Sequence, residues 1–155
     1  MRVWKICRQP FAADALQGIG GLYTSGRWHH KGMPIVYTAG SPALAALEVL
    51  VHVDPLCAPA DLRLLAIDLP PDLSMEVIDP GALPQGWGDL PAPAELQALG
   101  TAWLRSNRTA ALSVPSAVIR VEHNILLNPR HSEAAGCRLI SDEPFSFDPR
   151  LLGQP

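Results

Sequence analysis

The stretch Ile35-Val36-Tyr37-Thr38-Ala39-Gly40-Ser41-Pro42-Ala43-Leu44-Ala45-Ala46-Leu47-Glu48-Val49-Leu50-Val51 decides the fold class. Ile35 to Thr38 is β-branched and aromatic, the composition of a strand. Pro34 can begin it, because the first residue of a strand need not donate to a ladder. Ser41 is then a good N-cap and Pro42 suits the first helical position. The helix is predicted to run to about Val53 and to stop before Pro55. Leu44, Leu47 and Val51 form its apolar stripe, and Glu48 falls in the same stripe. A carboxylate there is costly unless it is paired, hydrogen-bonded or put to use. Spacing alone leaves two readings open, a functional carboxylate and a structural ion pair.

Working outward, residues 2–7 alternate and read as a first strand. Leu62 to Leu69 is a further strand ended by Pro70-Pro71. Ala94 to about Arg105 is a helix with Leu96, Leu99 and Trp103 at helical spacing. Ala111 to Val114 and Ala117 to Val121 read as strands separated by Pro115-Ser116. Cys137 to Ile140 and Phe145 to Phe147 read as short closing strands. This irregular order is that of an α+β domain, not a βαβ series. Residues 79–93 form a loop of a length usually reserved for lids or disorder.

The composition fits a compact globule. Hydrophobic residues make up 48% and charged residues 17% of the 155, which excludes a disordered chain. That length suits one domain with its own core. Charge is uneven: residues 1–31 carry Arg2, Lys5, Arg8, Arg27 and Lys31 against Asp14 alone, whereas residues 47–100 carry nine acids against Arg63. The asymmetry is of the kind that focuses an anionic small molecule towards the N-terminal third, with scattered solvated charge as the competing reading for most of these residues. It is too weak for a nucleic-acid footprint. Cys7, Cys57 and Cys137 are widely spaced with no CxxC pair, which predicts reduced thiols and a cytoplasmic location. No signal peptide or membrane span is expected.

The chemistry-bearing residues cluster early. Arg27 follows Ser25-Gly26, so a guanidinium fork stands beside small residues that let a ligand approach the backbone. Tyr37 ends the strand before the Glu48 helix, and its ring offers a face to a flat heterocycle. Arg27, Tyr37 and Glu48 together suit an anionic substrate that develops positive charge during reaction. An ordinary core tyrosine and a surface arginine are the competing readings. The five histidines have no metal-ligand spacing, so no metal is expected. No Walker loop, Gly-x-Gly-x-x-Gly or nucleophile elbow is present.

With these stretches assembled, the chain resembles the RES-domain toxins of bacterial Xre–RES toxin–antitoxin modules. The resemblance rests on Ser25-Gly26-Arg27-Trp28, Val36-Tyr37-Thr38-Ala39, Ala46-Leu47-Glu48-Val49-Leu50-Val51-His52, Val114-Pro115-Ser116-Ala117-Val118, Asn124-Ile125-Leu126-Leu127-Asn128-Pro129-Arg130-His131 and Phe147-Asp148-Pro149-Arg150-Leu151. It runs nearly end to end, implying one RES domain over residues 1–155. The residues that name the family would be Arg27, Glu48 and Ser116. Ser25 and His29 depart from the glycine and asparagine that many relatives carry there.

The resemblance implies a fold similar to ADP-ribosyltransferases, with a central antiparallel or mixed sheet and short flanking helices. It implies NAD as the substrate, cleaved between nicotinamide and ribose by a glycohydrolase or phosphorylase. A protein ADP-ribosyltransferase is the alternative, and a non-catalytic binding protein is the alternative of another class. The catalytic set so implied is Glu48, Arg27 and Tyr37, and Arg27, Tyr37, Ser116 and Asn124 contact substrate. The implied partner is an Xre-type helix-turn-helix antitoxin, with self-association inside the complex and DNA binding left to the partner. Arginine-modifying transferases often carry a second acid two positions before the catalytic glutamate. Ala46 stands there, which favours NAD degradation over arginine modification.

Overall fold

In a computed structural model of the chain, described over residues 1–54 and 57–153, ten regular elements pack around one mixed sheet. In order these are β1 (Arg2–Arg8), α1 (Gly20–Tyr23), β2 (Val36–Ala39), α2 (Pro42–Leu50), β3 (Leu62–Asp68), β4 (Met75–Val77), α3 (Ala94–Ser106), β5 (Ala111–Pro115), β6 (His123–Leu127) and β7 (Arg138–Phe145). The seven strands lie in the order β4-β5-β6-β2-β1-β3-β7. Every neighbouring pair is antiparallel except β4 and β5. The α+β expectation is met.

One feature of the sheet positions the site. β1 pairs with β3 along its whole length, from Arg2↔Asp68 to Arg8↔Leu62, and β2 pairs with β6 from Val36↔Leu127 to Ala39↔Asn124. β1 and β2 meet at a single pair, Trp4↔Ala39. The sheet is therefore two wings, β4-β5-β6-β2 and β1-β3-β7, joined at one point and parted beyond it.

Side chains on opposite pleats build separate cores. On one face Val3, Val36, Ile67, Ile125 and Leu127 pack together under Leu16 and Leu73. On the other, Trp28, Leu96, Trp103, Leu112 and Leu126 form the α3 side, and Ile6, Ala39, Leu44 and Ala45 form the α2 side. α3 approaches most closely at Gly100, where an added Cβ would collide with the Trp28 carbonyl.

The capping of α2 is as expected, with Ser41 Oγ accepting from Leu44 N at 3.1 Å and Pro42 in the first turn. The helix ends at Leu50, earlier than Val53, and the expected stop at Pro55 lies outside the described residues. Val51 is exposed, so Leu44 and Ala45 carry the buried stripe.

Ala117 to Val121 is not a strand. Ser116 Oγ accepts from Val118 N and Ile119 N, and Ser116 N donates to Glu122 O, which folds the segment into a tight loop. The chain then returns as β6. Phe145 closes β7 and Phe147 turns into the core, so the last two expected strands become one long edge strand. Pro144 is tolerated inside it because an edge strand leaves donors unpaired anyway. The 79–93 loop is packed: Leu83, Trp87 and Ala92 lie against the α3 core, and Arg120 sits over the Trp87 ring.

Candidate functional site

The parted wings leave a cleft of about 930 Å³, lined among others by Lys5, Arg27, Tyr37, Glu48, Leu90 and Asn124. That volume falls at the upper end of ordinary small-molecule sites. Three of its groups come from elements whose placement is fixed by the sheet: Lys5 from β1, Tyr37 from β2 and Asn124 from β6.

Glu48 is half-buried on α2, facing the sheet. Its Oε1 accepts from Ser116 Oγ at 2.7 Å and from Asn124 Nδ2 at 2.5 Å. The Ser116 hydroxyl gives its only proton to Glu48, and its lone pairs take the Val118 and Ile119 amides at 3.1 and 3.0 Å. Ser116 is 0% exposed, so it supports the carboxylate from behind and does not line the cleft. Oε2 of Glu48 takes no hydrogen bond from the described residues. Charge-assisted bonds of this kind are stronger than neutral ones, so the carboxylate is held in one orientation. Asn124 Oδ1 is buried with no partner, an unspent acceptor beside that carboxylate.

Tyr37 belongs to a second network. His29 Nε2 lies 3.0 Å from the Thr24 carbonyl, which can only accept, so Nε2 carries the proton in the neutral ring. Nδ1 is then an acceptor, and the Tyr37 hydroxyl donates to it at 2.8 Å while accepting from Trp28 N at 3.2 Å. Burial pushes the Tyr37 phenol well above the usual tyrosine range, against smaller opposing effects of the Trp28 amide and Arg27. Burial likewise lowers the pKa of His29. With its hydroxyl fully paired, Tyr37 has its ring left to meet a ligand. Gly26 makes this possible: a Cβ there would stand 2.7 Å from the Tyr37 hydroxyl oxygen.

Arg27 sits in the same turn, which Gln97 of α3 fixes by donating to Gly26 O at 2.9 Å. Its Nη1 donates to Trp87 O at 2.6 Å, and both Nη atoms reach Asp89 O at 3.2 Å. The guanidinium therefore fastens the long loop over the cleft. It does not pair with Glu48, so the structural ion pair that a non-enzymatic reading would invoke is absent between these two residues.

The structure thus gathers all five expected residues, four on the cleft wall and Ser116 behind it. Sequence reasoning missed Lys5 as a cleft residue and His29 as the partner of Tyr37. The only local signals were a lysine in the middle of an apolar strand and the departure at residue 29. Among the described residues no group of three His, Cys, Asp or Glu side chains is placed to hold a metal ion, and no helix is long and apolar enough to cross a membrane.

This fold is shared with a solved toxin. The M. tuberculosis MbcT–MbcA toxin–antitoxin complex superposes with a TM-score of 0.77 over 98% of this chain and 86% of that one, at 20% identity. A "Toxin Res" of Pseudomonas putida is 42% identical over 154 residues, covering 98% of this chain and 100% of the relative. The "Prs ADP-ribosylating toxin" of a Sphingobium species is 39% identical over 153 residues, covering 96% and 95%. A "Toxin Res" of Yersinia enterocolitica is 38% identical over 153 residues, covering 97% and 99%. The RES domain model matches residues 2–148, and the chain belongs to that family.

Proposed function

We propose that this chain is the toxin of a toxin–antitoxin pair and acts by cleaving the bond between nicotinamide and ribose in NAD. The observation that carries the reading is the doubly braced Glu48. Ser116 and Asn124 each donate to Oε1, which aims a fixed negative charge into a cleft large enough for a dinucleotide.

As the glycosidic C–N bond breaks, its electron pair leaves with the ring nitrogen and the nicotinamide departs neutral. The sugar becomes oxocarbenium-like, as in glycoside hydrolysis. A carboxylate already in place stabilises that charge selectively, because it needs no reorganisation at the moment of reaction. Glu48 Oε2 faces the ribose, where it also takes a hydroxyl proton as a hydrogen bond. The Tyr37 ring packs against the nicotinamide. Arg27 acts chiefly by holding the 87–91 segment over the bound substrate. Asn124 Oδ1 offers an acceptor to a substrate donor. A neutral leaving group needs no general acid.

The attacking acceptor is water or inorganic phosphate, with Ala46 in place of the second acid of arginine-modifying enzymes. Transfer to a protein is the second reading, supported by the ADP-ribosylating toxin to which the chain is 39% identical. The partner is an Xre-type antitoxin, with self-association within the complex; that the similar MbcT fold was solved as a toxin–antitoxin complex supports an antitoxin partner. The test is release of nicotinamide from NAD by the antitoxin-free chain, with the other product identified. ADP-ribose marks water as acceptor, its phosphate ester marks phosphate, and labelled protein marks transfer.

A further inference from the structure

The basic residues of β1 are not treated alike. Arg2 pairs with Asp68 at 2.8 Å and Arg8 pairs with Asp61 at 2.8 Å, both at the strand ends. Lys5, between them, has no carboxylate within ion-pairing distance among the described residues. Its Nζ makes one long bond, 3.3 Å to the Tyr37 carbonyl, across the gap where β1 and β2 part. An ammonium has three donors, so two remain unspent at the floor of the cleft. Arg27, the other formal cation on the cleft wall, is tied through both Nη atoms to the Trp87 and Asp89 carbonyls, which take three of its five donors.

We propose that Lys5 is a phosphoryl-binding group, its ammonium receiving a phosphate oxygen of the ligand that enters the cleft between the two wings. The proposal rests on the NAD-cleaving reading above and specifies what holds the anionic part of that chemistry. A half-buried cation is costly without an anion, and desolvation lowers the Lys5 pKa from its ordinary value. A phosphate oxygen offsets that cost with a charge-assisted bond, and lysine serves such groups as a point charge. The phosphoryl group has two possible sources, the pyrophosphate of the dinucleotide and free inorganic phosphate acting as acceptor.

Lys5→Met keeps the apolar stem and removes the charge. If the pyrophosphate is bound, KM for NAD rises about tenfold with kcat within about threefold, while kcat/KM for phosphate-free nicotinamide riboside is unchanged. If inorganic phosphate is bound, KM for NAD holds and the dependence of rate on phosphate concentration disappears. Lys5→Arg, which retains the cation, should recover most of either effect. Loss of neither dependence in Lys5→Met overturns the proposal.

A second measurement needs no turnover. Reductive methylation of Lys5 in the wild-type full chain, read by mass spectrometry, should be slowed about fivefold or more by pyrophosphate or by inorganic phosphate, because a bound anion masks the amine. Absence of protection by both also overturns the proposal. A wild-type chain that leaves NAD intact refutes the proposed function, and the protection experiment still decides the role of Lys5.

Discussion

Ser116→Ala is the perturbation whose consequences the structure specifies most fully. The hydroxyl is 0% exposed and serves three partners, donating to Glu48 Oε1 and accepting from the Val118 and Ile119 amides. Its removal deletes one hydrogen bond to a charged group, worth about 1.5–3 kcal/mol, and strips two amides of their acceptor at about 1 kcal/mol or more each if water stays out. Relaxation of the 116–122 loop recovers part of this, so a net loss of about 2–4 kcal/mol is expected. For a domain of this size that is a fall in Tm of about 5–15 °C. Urea titration should show a lower midpoint at unchanged slope, since the fold itself is retained.

A Ser116→Ala/Glu48→Ala cycle should return a coupling of about 1 kcal/mol or more, the mark of direct contact. Activity should fall through kcat, about tenfold or more, because the carboxylate loses its orientation and not its charge. A Tm within about 2 °C of wild type, with no coupling to Glu48, would refute the claim that this hydroxyl braces the carboxylate.

Tyr37→Phe leaves the Trp28 amide and His29 Nδ1 without their partner, so a loss of about 1–3 kcal/mol is expected in thermal or urea unfolding, while the retained ring keeps KM for NAD within about threefold. A stability equal to wild type would show that the hydroxyl is not bonded as described. His29 has a folded pKa below its ordinary 6.5, so between the two values the unfolded chain binds more protons. The stability His29 contributes is therefore present above about pH 6.5 and is lost as pH falls through that value toward the folded pKa. Tm measured from pH 7.5 to 5 should fall in wild type and fall less in His29→Asn; equal slopes would contradict the assignment.

How much of this was legible depends on the range of each interaction. The Ser41-Pro42 cap, the Ile35 to Thr38 strand and the position of Glu48 toward the sheet are written locally, within one or two turns of chain. β4 was missed because Met75–Val77 is too short to show alternation. Ala117 to Val121 was misread because its β-branched residues look strand-like, while the Ser116 side chain diverts the amides that a ladder would need. The brace on Glu48 joins residues 68 and 76 positions apart, a distance at which periodicity says nothing, and Asn124 enters only through the family resemblance. That resemblance assigns Arg27 to substrate, and the structure adds a contact it did not name, from both Nη atoms to the carbonyls of residues 87 and 89. Backbone acceptors carry no sequence signature, so no pattern search would have found that contact. Lys5 was counted as charge but not as site, because its isolation becomes visible only once Arg2 and Arg8 are seen to have partners.

The most direct test of the central claim is nicotinamide release from NAD by the antitoxin-free chain, compared with Glu48→Gln under the same conditions. The substitution keeps the shape and removes the charge that stabilises the developing cation. Turnover by wild type and a loss of about a hundredfold or more in Glu48→Gln, with the variant folded, is the expected result. Equal turnover by both proteins, or none by the wild type when water, phosphate and protein acceptors are all supplied, would contradict it.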